Sequence, residues 1–172
     1  MTQLIPVLKK EDIQQKVASL AKRISTDYEG RELVIVGILK GSFIFISDLV
    51  RHITIPVKID FISVSSYGTS TSSSGQPLMN KELKMDINDK DVLLIDDIVD
   101  TGLTLSYLVK HLGALGPRTI KVCALVDKSE RREKQFKIDY VCHKVQKGFL
   151  VGYGLDYAEM YRNLPEIYHL KF

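Results

Sequence analysis

The chain has 172 residues, of which 45% are hydrophobic and 26% are charged, and its formal net charge is +3 at pH 7. The length predicts one domain over residues 1–172 with a substantial core, and the composition is that of an ordinary globular protein. The small net charge argues against a nucleic-acid-binding surface and suits anionic small molecules, and the longest apolar run, Leu33–Leu39, is far too short to span a membrane.

The first third of the chain alternates helical and strand-like patterns. Apolar residues recur at helical spacing over Lys10–Thr26, and Leu33–Leu39 is a continuous apolar run typical of a strand buried on both faces. A Lys-Gly-Ser loop at residues 40–42 leads into a second predicted helix, Phe43–Ile53. The alternating segment Lys58–Ser65 then suits a strand with one exposed face.

The segment Ser65–Asn80 is unusually rich in Ser, Thr and Gly. Its composition alone favours the tip of a surface hairpin. Its functional interpretation is a mobile lid over a nearby site.

The stretch Asp91–Ser106 organises the rest of the chain. Val92–Ile95 is a continuous apolar run, as expected for a parallel strand covered on both faces. Asp96 and Asp97 follow where such a strand should leave the core, because ionised carboxylates cannot be buried cheaply without partners. The next turn, residues 100–104, carries Gly and two Thr hydroxyls at the start of a predicted helix, which suits a phosphate. Ligands of open α/β sheets bind at the carboxyl ends of strands, so we expect a site here.

The remaining elements complete an α/β pattern. The helix after the turn ends at Gly113–Pro117, and Thr119–Val126 is predicted to be a strand. A charged connection, Ser129–Lys137, precedes two final strands at Tyr140–Val145 and Phe149–Tyr153. Strands that alternate with helices predict an α/β protein with a mostly parallel sheet.

The cysteines and the N-terminus bear on the compartment. Cys123 and Cys142 lie in apolar, strand-like contexts without ligand-like spacing, which favours buried free thiols over a disulfide. Residues 1–10 are too short and too polar for a signal peptide. We therefore expect a cytoplasmic protein.

Acidic residues at the end of an apolar strand are compatible with three kinds of protein. A Walker B strand needs a GxxxxGK[ST] partner, and no such string occurs in the sequence. A response-regulator acid pocket leaves the Thr-Gly-Leu-Thr turn without a role. The full string VLLIDDIVDTGLTL resembles the phosphoribosyl-pyrophosphate (PRPP) motif of the type I phosphoribosyltransferases, in particular their hypoxanthine–guanine branch.

This resemblance covers nearly the whole chain and implies both a fold and a reaction. The fold is a mostly parallel twisted sheet flanked by helices, with a small hood formed by N- and C-terminal segments. The reaction is purine salvage, in which the 5-phosphoribosyl group of PRPP passes to hypoxanthine or guanine to give IMP or GMP and pyrophosphate, with Mg²⁺ as cofactor. The resemblance also implies a homo-oligomer, either a dimer or a tetramer.

The resemblance assigns the PRPP and metal sites to particular residues. Asp96 and Asp97 would bind the ribose diol and Mg²⁺, and Asp100 would be the general base for the purine N7 proton. The 5′-phosphate would lie on the turn formed by Asp100, Thr101, Gly102, Leu103 and Thr104. Pyrophosphate would bind Lys40 and Gly41, behind a cis peptide between Leu39 and Lys40, and would also bind Arg162.

The purine site and the lid come from three further matches. Lys128, in the string ALVDK, would bind the 6-oxo group of the purine. Three residues belong to the string FLVGYGLDY: Phe149 would stack on the base, and Leu150 would contact the edge of the base through its backbone. The third, Asp156, would hold a second metal. Ser66 and Tyr67, in SSYG, would begin the catalytic lid. Because Asp156 and Arg162 do not share one helical face, we expect the segment between them to be partly irregular.

The sequence differs from the family pattern at two positions, and two alternative functions remain open. Asp96 stands where much of the family has Glu, and Gly148 precedes Phe149 where some members carry Lys. An RNA-binding attenuator on the same fold is one alternative, but such proteins carry a signature-loop Arg where this chain has TGLT. A transferase for xanthine or uracil is the other, and the pair Lys128 and Phe149 favours a 6-oxopurine.

Overall fold

A computed structural model describes residues 3–65, 78–134 and 137–172 of the chain. These residues form two sheets and three helices. The elements in chain order are β1 (Gln3–Leu8), α1 (Lys10–Asp27), β2 (Leu33–Leu39), α2 (Phe43–His52), β3 (Val57–Ser65), β4 (Leu78–Lys81), β5 (Asp91–Val99), α3 (Leu103–Gly113), β6 (Thr119–Lys128), β7 (Tyr140–Val145), β8 (Leu150–Val151) and β9 (Ile167–Lys171).

The larger sheet has the strand order β4-β3-β2-β5-β6-β7 and is parallel except for the edge strand β4. Gly37 of β2 lies opposite Ile95 of β5, and Ile95 lies opposite Cys123 of β6. The carboxyl ends of these three central strands therefore meet at one edge of the sheet. This arrangement confirms the predicted α/β architecture.

The core lies on both faces of the larger sheet. One buried cluster packs α1 and α2 against Ile35 and Leu93, and the other packs α3 against Val34 and Leu94. Successive residues of a strand point to opposite faces. Both faces of β2 and β5 are covered by these clusters, so their residues are apolar on both faces. This is why polar and apolar residues do not alternate along either strand.

The chain ends form the smaller sheet, in which β9 pairs in antiparallel fashion with both β1 and β8. This sheet is the predicted hood of N- and C-terminal segments. The N–H of Leu170 in β9 donates to the carbonyl of Phe149, 2.9 Å away, so the hood holds the start of the predicted purine segment. The loop that follows β8 then passes over the strand ends of the larger sheet.

Several boundaries differ from the sequence prediction. β5 continues past Ile95 to Val99, because Ile98 and Val99 keep their pairing with Val126 and Asp127 of β6. The predicted strand from Phe149 is reduced to the two residues of β8. The helix α3 ends at Gly113, the first residue of the predicted boundary Gly113–Pro117, and Leu115 beyond it is exposed.

Two further sequence expectations can be compared with the structure. Cys123 and Cys142 are buried and free, as predicted. Over the described parts of the chain, no helix is both long enough and apolar enough to cross a membrane. The lid residues Ser66 and Tyr67 lie outside the described residues.

Candidate active site

A cavity of about 300 Å³ opens where the central strands end. Its walls are the end of β5, the turn that follows it, and the first turn of α3. Ile38, at the end of β2, lines the cavity from the neighbouring strand. The sequence-predicted acids and the sequence-predicted phosphate turn therefore share one cavity.

Asp96 and Asp97 form a carboxylate pair that is more deeply placed than the sequence suggested. Asp96 is only 8% exposed, because β5 continues beyond it and keeps it within the sheet. Burial raises the pKa of Asp96 well above its usual value, and the adjacent charge of Asp97 raises it further. Burial also raises the pKa of Asp97, although the charge of Arg162 and local hydrogen bonds oppose this. The expectation that both acids lie outside the core is thus wrong for Asp96.

The loop after β2 approaches the carboxylate of Asp97 closely at Gly41. A Cβ atom on Gly41 would lie 1.7 Å from Oδ2 of Asp97. On its other side, the carbonyl oxygen of Gly41 would be 2.1 Å from a Cβ atom placed on Gly154, which has a φ of +102°. Three separate segments therefore meet at Gly41. The peptide between Leu39 and Lys40 is cis, as the resemblance implied.

The phosphate turn has the backbone of an anion-binding site. Gly102 adopts a left-handed conformation with φ +81° and precedes α3, which begins at Leu103. The hydroxyl of Thr101 accepts a hydrogen bond from the N–H of Leu103 at 3.3 Å. The first N–H groups of a helix have no partners within the helix. They face the same cavity as Thr104, so a phosphate here would be bound by backbone donors and hydroxyls.

Asp100, at the mouth of this turn, is held by two cations. Its Oδ2 atom accepts hydrogen bonds from Lys128 at 3.3 Å and from Nε of Arg131 at 3.0 Å. Burial raises the pKa of Asp100, but the hydrogen bond from Arg131 and the charge of Lys128 outweigh it, so the pKa lies below its usual value. Its other oxygen, Oδ1, is buried and has no hydrogen-bond partner among the described residues.

Arg131 is a candidate site residue that the sequence analysis missed. It lies in the charged connection after β6, to which the sequence analysis assigned no role. Backbone contacts dock this connection on the phosphate turn, because the N–H groups of Glu133 and Lys134 both donate to the carbonyl of Thr101, at 3.0 and 3.1 Å. No periodicity marks such a contact, so the sequence carried no signal for it.

The loop after β8 is irregular, as predicted, and carries Asp156 and Arg162. Asp156 uses both oxygens within the loop: Oδ1 pairs with Arg162 at 2.9 Å, and Oδ2 accepts from the N–H of Glu159 at 2.9 Å. Arg162 also donates to the carbonyl of Gly154 at 2.7 Å, and its Nε atom is buried without a partner in the described part of the chain.

Across the described residues, no three His, Cys, Asp or Glu side chains are grouped so that they could hold a metal. Asp156 therefore does not join the Asp96–Asp97 pair.

Phe149, the predicted stacking residue, presents an exposed aromatic ring. Phe149 is 43% exposed, and its ring meets those of Tyr157 and Phe172 at centroid distances of 5.7 and 6.2 Å. Leu150 is buried and pairs with His169 of β9, so its side chain is not available to a ligand. A Cβ atom on Gly148, whose φ is +108°, would lie 2.5 Å from the ring of His169, so a larger residue there would require that ring to move.

The Asp96–Asp97 pair also provides a test of whether a divalent cation fits. Asp96 and Asp97 are adjacent carboxylates with raised pKa values, and the charge of Arg162 offsets this only in part for Asp97, so a cation would stabilise both in their ionised form. Mg²⁺ is typically held by one or two carboxylates and completes its shell with water and substrate phosphate. The donor set therefore fits this ion.

Comparison with known protein sequences gives a consistent result. The family described as phosphoribosyl transferase domain matches residues 7–158. The chain is 49% identical over 163 residues to the hypoxanthine-guanine phosphoribosyltransferase of Aquifex aeolicus, a match that covers 94% of this chain and 92% of that protein. It is 44% identical over 165 residues to the enzyme of the same name from Bacillus subtilis, covering 96% of this chain and 92% of that protein.

Solved structures agree with these sequence matches. A hypoxanthine-guanine phosphoribosyltransferase from Bacillus anthracis superposes with a TM-score of 0.92 at 41% identity, covering 99% of this chain and 100% of that one. A hypoxanthine phosphoribosyltransferase from Staphylococcus aureus gives a TM-score of 0.91 at 44% identity, covering 96% and 90% of the two chains. The predicted fold class, a type I phosphoribosyltransferase core with a hood, is confirmed.

The contact between Arg131 and Asp100 leads to a prediction about protonation. In Arg131→Gln, the loss of the positive charge should raise the pKa of Asp100. A ¹³C NMR titration of the Asp100 carboxyl group measures this directly, and any acid limb of activity that depends on Asp100 should move to higher pH. The control is Arg51→Gln, which removes an exposed Arg–Asp48 pair far from the turn. An unchanged titration of Asp100 in Arg131→Gln would contradict the prediction.

Proposed function

The chain belongs to the phosphoribosyl transferase family, and we propose on that basis that it transfers the 5-phosphoribosyl group of PRPP to hypoxanthine and to guanine. The products are IMP or GMP together with pyrophosphate, a reaction of purine salvage. The observation that carries the proposal is the meeting of the Asp96–Asp97 pair, the phosphate turn and the Gly41 loop at adjoining strand ends. Each of these features matches a different part of PRPP.

The charges of these features indicate which part of PRPP each would bind. The turn at residues 101–104 offers backbone N–H groups and hydroxyls to the 5′-phosphate. Lys40 and Arg162 offer the positive charge that pyrophosphate requires, and a guanidinium can bind its oxygens through two donors. Asp96 and Asp97 would accept hydrogen bonds from the ribose diol between these two ends.

Breaking the bond between C1′ and the pyrophosphate oxygen builds positive charge on the ribose and negative charge on the leaving group. The Asp96–Asp97 pair would lie close to the positive charge, in a buried setting where charge interactions are strong. The Asp96–Asp97 pair would hold Mg²⁺, which would supply Lewis-acid stabilisation of the leaving group. Asp156 would hold a second metal, and its two oxygens contact Arg162 and the N–H of Glu159.

The purine would bind between Lys128 and Phe149. The flat ring of Phe149 suits stacking on a heterocycle, Lys128 would donate to the 6-oxo group, and the backbone of Leu150 would meet the base edge. Asp100 would accept the N7 proton as general base. A general base works best with a pKa near the working pH, and loss of the contact with Arg131 or Lys128 on purine binding would raise the lowered pKa of Asp100 toward it.

The remaining expectations also belong to this proposal. We propose a single domain over residues 1–172 that acts in the cytoplasm, and the two buried free cysteines are compatible with a reducing compartment. We further propose that Ser66 and Tyr67 begin a lid and that the enzyme works as a homo-oligomer, a dimer or a tetramer, without nucleic-acid or membrane partners.

Incubation with PRPP, Mg²⁺ and each of five bases tests the substrate assignment. We expect IMP from hypoxanthine and GMP from guanine, with no product when Mg²⁺ is chelated. The nucleotides are separated and quantified by chromatography. Turnover of uracil without turnover of hypoxanthine, or no turnover of any base, would contradict the proposal.

Substitutions in the two acidic groups should separate base catalysis from PRPP binding. Asp100→Asn should lower kcat by roughly 10²–10⁴-fold, the usual contribution of a positioned general base, with the KM for PRPP near normal. Asp97→Asn should instead raise the KM for PRPP and weaken its dependence on Mg²⁺. Initial-rate kinetics measure both, and Glu32→Gln, far from the cavity, is the control. A raised KM for PRPP with unchanged kcat in Asp100→Asn would reduce Asp100 to a structural role in the turn.

A further inference from the structure

The carboxylate of Glu159 lies between the two cations proposed to bind pyrophosphate. Its Oε2 atom accepts a hydrogen bond from Nζ of Lys40 at 3.0 Å and another from Arg162 at 3.4 Å. Lys40 belongs to the loop after β2, whereas Glu159 and Arg162 belong to the loop after β8. One carboxylate oxygen thus joins two loops that are far apart in the sequence.

The backbone around Glu159 directs its side chain toward these cations. Ala158 and Glu159 have φ values of +51° and +64°, and the N–H and C=O groups of Tyr157 and Met160 are paired with each other on either side. Two central residues with positive φ are typical of a type I′ turn, which usually contains Asn or Gly at these positions. Neither is present, so contacts outside the turn have to hold it, and the pairing of Glu159 with Lys40 is one such contact.

The contact is charged, open to water and therefore replaceable. A glutamate carboxylate is ordinarily ionised at neutral pH, so Glu159 carries a negative charge between Lys40 and Arg162. The side chains of Glu159 and Lys40 are 64% and 67% exposed, and ion pairs this exposed are weak and screened by salt. Arg162 meanwhile keeps its Nε donor buried and without a partner among the described residues. Glu159 therefore does not satisfy every donor of Arg162.

We propose that Glu159 is an internal counter-anion that occupies the pyrophosphate subsite in the free enzyme and sets the affinity of that subsite. The pyrophosphate end of PRPP displaces the carboxylate from Lys40 and Arg162, and the carboxylate returns as pyrophosphate leaves. This inference rests on the proposed function, which assigns the two cations to pyrophosphate. Its consequence is weaker product binding, which favours release of pyrophosphate after transfer.

Isothermal titration of the full chain with inorganic pyrophosphate in Mg²⁺ tests the inference. Glu159→Gln keeps the size of the side chain and removes its charge, so pyrophosphate should bind roughly threefold to tenfold more tightly than to the wild type. The gain should shrink as salt is raised, because salt already weakens the competing ion pair. The Ki of pyrophosphate as a product inhibitor should fall by the same factor, with the KM for hypoxanthine unchanged.

Two further variants test whether tighter binding of pyrophosphate comes from loss of the contact of Glu159 with Lys40 and Arg162 or only from a change in charge. Glu159→Asp keeps the charge but shortens the reach by one methylene, so it should also bind pyrophosphate more tightly than the wild type. Glu32→Gln is the matched control, because the Oε1 atom of Glu32 also joins two lysines, Lys58 and Lys90, far from the cavity. Its affinity for pyrophosphate should equal that of the wild type.

The outcomes distinguish this inference from the proposed function. If the wild type forms no IMP, the proposed function fails whatever the binding data show. If IMP forms and Glu159→Gln binds pyrophosphate as the wild type does, the inference is overturned. It is also overturned if Glu159→Gln binds more tightly while Glu159→Asp does not, because charge alone would then account for the effect.

Discussion

The close packing of Asp97 against Gly41 is the constraint on which the site depends. A Cβ atom at position 41 would overlap Oδ2 of Asp97, so any other residue there would require this carboxylate to move. Gly154 packs against the backbone carbonyl of Gly41 from the other side, so the strand end, the loop after β2 and the loop after β8 are stacked in direct contact. This stacking brings the carboxylates of β5 close to the loops that carry Lys40 and Arg162. A bulkier residue at either glycine would force these segments apart or displace the Asp97 carboxylate.

Most charged groups of the free site are paired with one another. Arg131 and Lys128 hold Asp100, and Glu159 joins Lys40 to Arg162. Each of these two sets of ion pairs leaves one buried polar atom without a hydrogen-bond partner among the described residues. These atoms are Oδ1 of Asp100 and Nε of Arg162. A buried polar atom without a partner is costly, so these contacts do not satisfy every polar atom of the groups they join. The protein thus holds these charged groups in place with internal ion pairs.

The sequence predicted those parts of the structure that have local causes. The strand β5, its acids and the turn before α3 follow from an apolar run, two carboxylates and a Gly-Thr turn that are adjacent in the chain. The burial of Asp96 did not follow, because strand pairing with β6 overrides the expectation that charge ends a strand. The roles of Arg131 and Glu159 could not be predicted, because their partners lie 31 and 119 residues away and no periodic pattern marks either contact. The hood and the cis peptide came from family resemblance, and no local property of the residues implied them.

The structure of the protein bound to PRPP, Mg²⁺ and an unreactive purine analogue is the most direct test of how these groups divide PRPP. We expect the 5′-phosphate on the N–H groups of residues 101–104 and the ribose hydroxyls on Asp96 and Asp97. We also expect pyrophosphate on Lys40 and Arg162, with Glu159 displaced from both. A complex in which the two phosphate ends are exchanged, or in which the ribose lies away from the carboxylate pair, would contradict it.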